Sequence, residues 1–374
     1  MQNLDLSNAV NYHYNKFPPQ ELNYKIISKI LAAAAAKLGR YDQVLKNMRN
    51  DRLMLAPMRD REAVISSKIE GTISTIDDVL VYRANQESEQ KADATLPQDV
   101  QEVSLYAEAM ELAQKSLEEG RPFSASLLKN IHAKLLSHGR GKDKDPGSFK
   151  TEQNYVGSYP VVSFIPIRAE SLRSGIENLF NYIEYDENDG LIKTAIAHVE
   201  FESLHPFKDG NGRIGRMLIP LILWKFGIIS SPYFYISDYF EQNKNTYIRL
   251  MREVSQNNMW TEWVVFFLKG IEIQAAQNLE KVEEIHSLYN RLLEKFSELP
   301  NSRYAKKALD FLFTRPIFDN NIFTNEQKSG IPKQTAARYS QSLYEKGFLK
   351  IVREGSGPVP ARYSFEPLMQ ILRV

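Results

Sequence analysis

The chain has 374 residues, 43% hydrophobic and 25% charged, an ordinary balance for a folded protein long enough for two or three domains. Its formal net charge of +1 gives no nucleic-acid signature for the chain as a whole, and the lack of cysteine excludes disulfides, thiolate metal sites and cysteine nucleophiles. Residues 1–10 lack the positive start and apolar stretch of a signal peptide, and the apolar run 30–36 is far too short to cross a bilayer. No membrane partner is therefore expected, and a cytoplasmic location is.

In chain order, residues 22–49 carry leucine, isoleucine and alanine at helical spacing, and the small side chains of Ala32 to Ala36 suit close helix packing. After Pro57 a second helix is expected over about 59–70, with Gly71 in the position that ends a helix. Residues 86–97 are polar and charged and read as an exposed connection. Helices follow at about 99–118 and 124–136, the latter opened by Ser124 as N-cap. Residues 137–150, with Gly139, Gly141, Pro146 and Gly147 among lysines, read as a mobile loop. The mix of β-branched and aromatic residues over 154–167, punctuated by Gly157, Pro160 and Pro166, predicts a short hairpin. Helices resume at about 169–185, 191–204, 213–226, 241–256 and 260–297. The fold class is mainly α.

The last segment differs in charge. Residues 301–374 hold 12 Lys and Arg against 6 Asp and Glu, a net of +6, which leaves the rest of the chain near −5. A helix over 303–313, the stretch 324–329, a Gly330-Ile331-Pro332 turn and a helix over 333–346 have helix-turn-helix spacing. Strands at 348–352 and 361–365 flank Gly355-Ser356-Gly357-Pro358, as the wing of a winged helix-turn-helix domain would. Such a domain serves either protein contacts and dimerisation or DNA binding, and for DNA Lys333, Gln334 and Arg338 would be presented to the groove and phosphates. The expected domains are a helical region over 1–95, a core over 96–298 and the winged helix over 299–374.

Residues 205–216 read H-P-F-K-D-G-N-G-R-I-G-R. The residue before a proline is pushed out of helical geometry, so the helix reaching Leu204 should end at His205 and leave its imidazole facing a cleft. A neutral imidazole near pH 7 can take a proton from a hydroxyl, and Phe207 would anchor the loop in the core. Asp209 offers the hard oxygen that magnesium takes. Gly210, Asn211 and Gly212 let successive N–H groups converge on an anion at the start of a helix. Arg213 and Arg216 share a helix face, where two guanidinium forks suit a di- or triphosphate.

Other side chains offer less. His198, Glu202 and His205 share one face of their helix, but no further ligand has zinc-site spacing, and His198 reads as a hydrogen-bonded core residue. His132 and His138 carry no assigned role. The aromatics of 232–240 read as packing. Glu70 stands at a helix C-terminus, where the macrodipole disfavours an acid, so another group is expected to hold it.

The 205–216 segment resembles the Fic family, matching its pattern H-x-F-x-[DE]-G-N-G-R-x-x-R without a departure. The resemblance implies a nucleotidyl transferase that most often moves AMP from ATP to a protein Ser, Thr or Tyr hydroxyl. His205 would then be the general base, Asp209 the magnesium ligand, and Gly210, Asn211, Gly212, Arg213, Ile214, Gly215 and Arg216 the ATP-binding residues. Residues 239–243 resemble a nucleotide-contacting segment and add Asn243. The hairpin at 154–164 looks like the family's flap, which holds the target's backbone by strand addition. S-S-K-I-E-G matches the inhibitory pattern [ST]-x-x-x-E-[GN] at Ser66 and Glu70, implying that Glu70 reaches Arg216 and takes the place of a γ-phosphate. Family members often pair, which makes a homodimer the expected assembly. The alternatives are a nucleotide-sensing DNA-binding regulator and transfer of UMP or a phosphoryl group, because nothing in the motif reads the base.

Overall fold

The computed structural model describes residues 4–48, 51–88, 96–139, 141–299 and 301–373, without the side chains of 51–54. The protein is mainly α, as expected, with six short strands in two sheets among the described residues. No helix among them is long and apolar enough to cross a membrane. The residues fall into two compact units, Met1–Lys46 with Ile65–Gly71 and Leu105–Gln277, and Asn47–Val64 with Thr72–Ser104 and Asn278–Val374.

In the first unit the helix Gly190–Leu204 is buried on almost every side. Its apolar residues are spread over every face, as in a central helix, and the buried Glu200 among them is held by Tyr12 and His13. The helices Leu172–Tyr185, Asn211–Lys225 and Lys244–Asn257 pack against this helix, and Trp263 Nε1 donates to the Ala195 carbonyl at 2.7 Å. The expected helices over 22–49, 99–118 and 124–136 are Tyr24–Asn47, Val100–Glu118 and Ala125–Leu135, the last capped by Ser124 Oγ accepting from Leu127 N. The hairpin forms from β2 (Val156–Ser158) and β3 (Val161–Ile165). A strand not expected from the sequence, β1 (Val10–Asn11), pairs parallel to β3 in the register Val10 with Phe164.

Three expectations are corrected. The second helix does not start after Pro57 but runs Asp51–Ile69 with Pro57 inside it. An interior proline removes one helical hydrogen bond and costs about 3 kcal/mol; burial of Leu55, Met58 and Ala63 on the same helix offsets that loss. The helix expected at 241–256 is broken at Asn243 into Ser237–Gln242 and Lys244–Asn257. The connection expected from residue 86 instead begins as the end of an additional helix, Ile76–Glu87, opened by a capping box between Thr75 and Asp78. Residues 89–95 of that connection lie outside the described residues, as does residue 140 of the loop expected at 137–150.

In the second unit, Ala305–Thr314, Glu326–Ser329 and Lys333–Glu345 follow the expected helical spacing, with Gly330 at φ 68° in the turn. β5 (Leu349–Arg353) and β6 (Arg362–Phe365) are antiparallel, and β4 (Ile317–Asp319), a strand not expected, pairs with the other side of β6. Asp319 is fully buried and accepts from Arg362, Arg353 and Ser88. Three donors on one carboxylate fix the strand order, since an unpaired buried charge would be strongly destabilising.

Candidate active site

The helix Gly190–Leu204 stops where Pro206 requires. His205 takes the left-handed conformation, φ 46° and ψ 61°. Its Nδ1 lies 3.3 Å from the Glu202 carbonyl. A carbonyl can only accept, so Nδ1 carries the proton and Nε2 keeps its lone pair. Burial, and next the charge of Lys150, push the imidazole down to about 4. The ring is therefore neutral at pH 7. It borders a cavity of about 90 Å³ whose wall includes Val156, Ser163 and Phe164 of the hairpin.

Phe207 is fully buried, as expected. Asn211 bonds its backbone twice, accepting from Phe207 N and donating to Phe207 O, both at 2.9 Å. The Asn211 side chain thus shapes the loop from within. Gly210, at φ 77°, is the N-cap of the helix Asn211–Lys225, whose first N–H groups have no partner within the helix. Asp209 pairs with Arg213 at 3.2 Å and has a side chain 41% exposed.

Arg216 is buried and held by the end of the helix Asp51–Ile69. Its Nε donates to Ser66 Oγ at 2.8 Å, and its Nη2 donates to the Ser66 carbonyl at 2.8 Å and to Glu70 Oε1 at 2.7 Å. Burial opposes the Glu70 charge, but the Arg216 guanidinium outweighs it and holds the carboxyl below its usual range. A side-chain carbon at Gly212 would come within 2.2 Å of Glu70 Oε1. The carboxylate therefore lies directly over the glycine loop.

The segment's other residues face elsewhere. Ile214 is wholly in the core, so only its backbone could meet a ligand. Gly215 faces Glu202 and Phe201. Asn243 donates to the Tyr239 carbonyl at 2.9 Å. His198 is a core residue, bonded to the Gly215 carbonyl and Tyr247 Oη. Tyr233, Phe234, Tyr235, Tyr239 and Phe240 are buried, as packing residues are.

Several contributors were not legible in the sequence. His132 stacks on Phe207 at 3.8 Å, accepts from Gly147 N and donates through Nε2 to the Asp209 carbonyl at 3.2 Å. Burial pushes Glu202 up to about 8, so it carries a proton at pH 7 beside Gly215. Lys244 Nζ donates to the Ile69 carbonyl at 2.6 Å, and Lys68 pairs with Glu241 at 2.9 Å, pinning the residues that flank Glu70. Only Glu202, on the His198 and His205 helix face, gave a prior signal.

The chain is similar to known proteins over the region that holds this site. The description "Fic/DOC family N-terminal" matches residues 28–115 and "Fic/DOC family" matches residues 122–223, together about half of the chain. A probable protein adenylyltransferase of Aquifex aeolicus is 26% identical over 187 residues, covering 50% of this chain and 52% of that protein. A uridine 5'-monophosphate transferase of Xanthomonas campestris is 24% identical over 186 residues, covering 47% of this chain and 33% of that one. The chain thus matches about half of the first relative's length and a third of the second's. A crystal structure of a Fic family protein from Desulfovibrio desulfuricans shares the fold with a TM-score of 0.58 at 20% identity, covering 93% of this chain and 98% of that one.

Proposed function

Since the chain belongs to the Fic/DOC family, we propose that it is a protein adenylyltransferase that moves AMP from ATP to a Ser, Thr or Tyr hydroxyl and is held back by Glu70. The observation that carries this reading is a neutral imidazole with a free Nε2 on a short loop that leads directly into a helix N-terminus carrying two arginines. The target oxygen attacks the α-phosphorus, its proton passes to His205 Nε2, and the bond to the departing pyrophosphate breaks. The loop N–H groups and the guanidinium of Arg213 stabilise the charge that develops on the phosphates. One half-exposed carboxylate at Asp209 suits a magnesium ion held otherwise by phosphates, which would neutralise part of their charge. Glu70 occupies Arg216 and the space above Gly212, so ATP binds with its terminal phosphates displaced. The hairpin receives the target's backbone, and because β1 covers one side of β3, the strand offered is β2.

Domains over 1–95, 96–298 and 299–374 belong to the same proposal. A second reading adds DNA as a partner of the last, a winged helix on whose helix Lys333–Glu345 the side chains of Lys333, Gln334 and Arg338 are all exposed.

Label transfer from α-labelled ATP to a co-purifying protein tests the first reading. Glu70→Gly is expected to transfer faster than the wild type, and Glu70→Gly with His205→Ala to bind nucleotide without transferring it. Equal rates for wild type and Glu70→Gly would remove the autoinhibition. No transfer by Glu70→Gly would leave the nucleotide-sensing regulator. Competition among the four nucleotides ranks AMP against UMP.

A further inference from the structure

The backbone from Leu204 to Phe207 leaves helical geometry, so its carbonyls need donors from elsewhere. All four find them on two residues just before the hairpin. Lys150 Nζ donates to the Leu204 carbonyl at 3.0 Å, and Lys150 N to that of Pro206 at 2.8 Å. Asn154 Nδ2 donates to the His205 and Phe207 carbonyls, both at 3.0 Å. The two side chains also join each other, Lys150 Nζ to Asn154 Oδ1 at 2.8 Å. Lys150 is only 4% exposed, deep burial for an ammonium with no carboxylate among its bonded partners. Burial pushes its pKa down to about 7, so holding that charge inside opposes stability.

A surface loop gains little from such a residue. The segment it holds includes His205 at φ 46°, a conformation rare for any side chain but glycine. β2 begins two residues after Asn154. We propose that Lys150 and Asn154 are positioning residues that clamp the His205 backbone in its left-handed conformation and tie its placement to the base of the hairpin that receives the target. Neither touches the reacting atoms. Their effect runs through the geometry of the base, so loss of the clamp should lower turnover and leave nucleotide affinity in place.

This inference rests on the proposed adenylyl transfer, and its test separates the two. In the Glu70→Gly background, Asn154→Ala and Lys150→Met are each expected to lower kcat by roughly 10²-fold, with ATP affinity held within about twofold, since misplacing a base by an ångström has an effect of that size. Lys150→Arg keeps donors and should recover most of the rate lost in Lys150→Met. Nitrogen chemical shifts of the His205 ring give a readout independent of turnover, with a single Nδ1–H tautomer in the parent and averaged tautomers in Asn154→Ala. If Glu70→Gly transfers no nucleotide, the function fails, yet the ring shifts still decide the clamp. A kcat within about threefold of the parent, a change too small for a misplaced base, together with unchanged ring shifts would overturn it. Equal losses in Lys150→Arg and Lys150→Met would do so too, because they would mark a packing role.

Discussion

His205 combines a committed Nδ1–H, an open Nε2 and an imidazole pushed down to about 4 by burial and by Lys150, against the opposing pull of Glu70 and Asp209. On the proposed mechanism the free enzyme's base stays deprotonated well below the usual histidine range. In Glu70→Gly, where the upward pull of Glu70 is gone, the acid limb of kcat/KM should therefore fall at or below about pH 4, with no inflection near the ordinary histidine value, since kcat/KM reports the free enzyme's groups. A limb centred near the ordinary histidine value would contradict that environment. The stability sign follows from the same shift. His132, pushed down to about 4, and His198, pushed down to about 3, join His205 as neutral rings in the native state. The unfolded chain binds more protons as pH falls through the ordinary histidine value of 6.5, so this contribution to stability is full above that range and is lost toward pH 4. At this scale the sequence was most legible where one residue's chemistry is local: the proline that stops a helix, the glycine that turns, the paired arginines. It was least legible for His132, whose role depends on Phe207 and Asp209 arriving from 75 and 77 positions away.

At the scale of elements, the inhibition proposed for Glu70 depends on how firmly one helix end is fixed. The helix Asp51–Ile69 closes with Gly71 at φ 91°, and Lys244 donates to the Ile69 carbonyl, a cation at the negative end of the helix dipole. Lys244 is exposed, so the bond contributes about 0.5 to 1 kcal/mol. Lys244→Met should therefore raise basal transfer by roughly two- to fivefold, less than Glu70→Gly does, because Ser66 and Glu70 still hold Arg216. A Lys244→Met rate equal to wild type would show that the tether is idle. Helices such as Trp260–Ser297 and Leu172–Tyr185 were readable to within a few residues, because a helix satisfies its backbone within itself and leaves its period in the sequence. The helix Ile76–Glu87 was missed although Thr75 and Asp78 carried its capping signal. β1, two residues long, gave no signal at all.

Across the whole molecule, charge is unevenly spread along the chain, and pairing reduces what the basic end can offer. Arg315 is paired with Glu87, Arg353 and Arg362 with Asp319, and Arg373 with Asp77 and Glu366. Lys333 and Arg338 stay exposed on their helix. If DNA is a partner, the full chain should bind random duplex with a salt dependence that drops by about two phosphate contacts in Lys333→Ala, Arg338→Ala. An unchanged salt slope, or no binding at low salt, would turn the reading to a protein contact. What the sequence determined by itself was the helical class, the hairpin and the order of chemical groups along 205–216, because those follow from period, turn residues and spacing within a dozen positions. Only the tertiary structure decided that Arg216 is gripped by Ser66 and Glu70, that β1 lines β3, and that Lys150 and Asn154 hold the carbonyls around His205. Each of those joins groups far apart in sequence through buried polar atoms, which must find partners on folding but carry no local mark of which partners those will be.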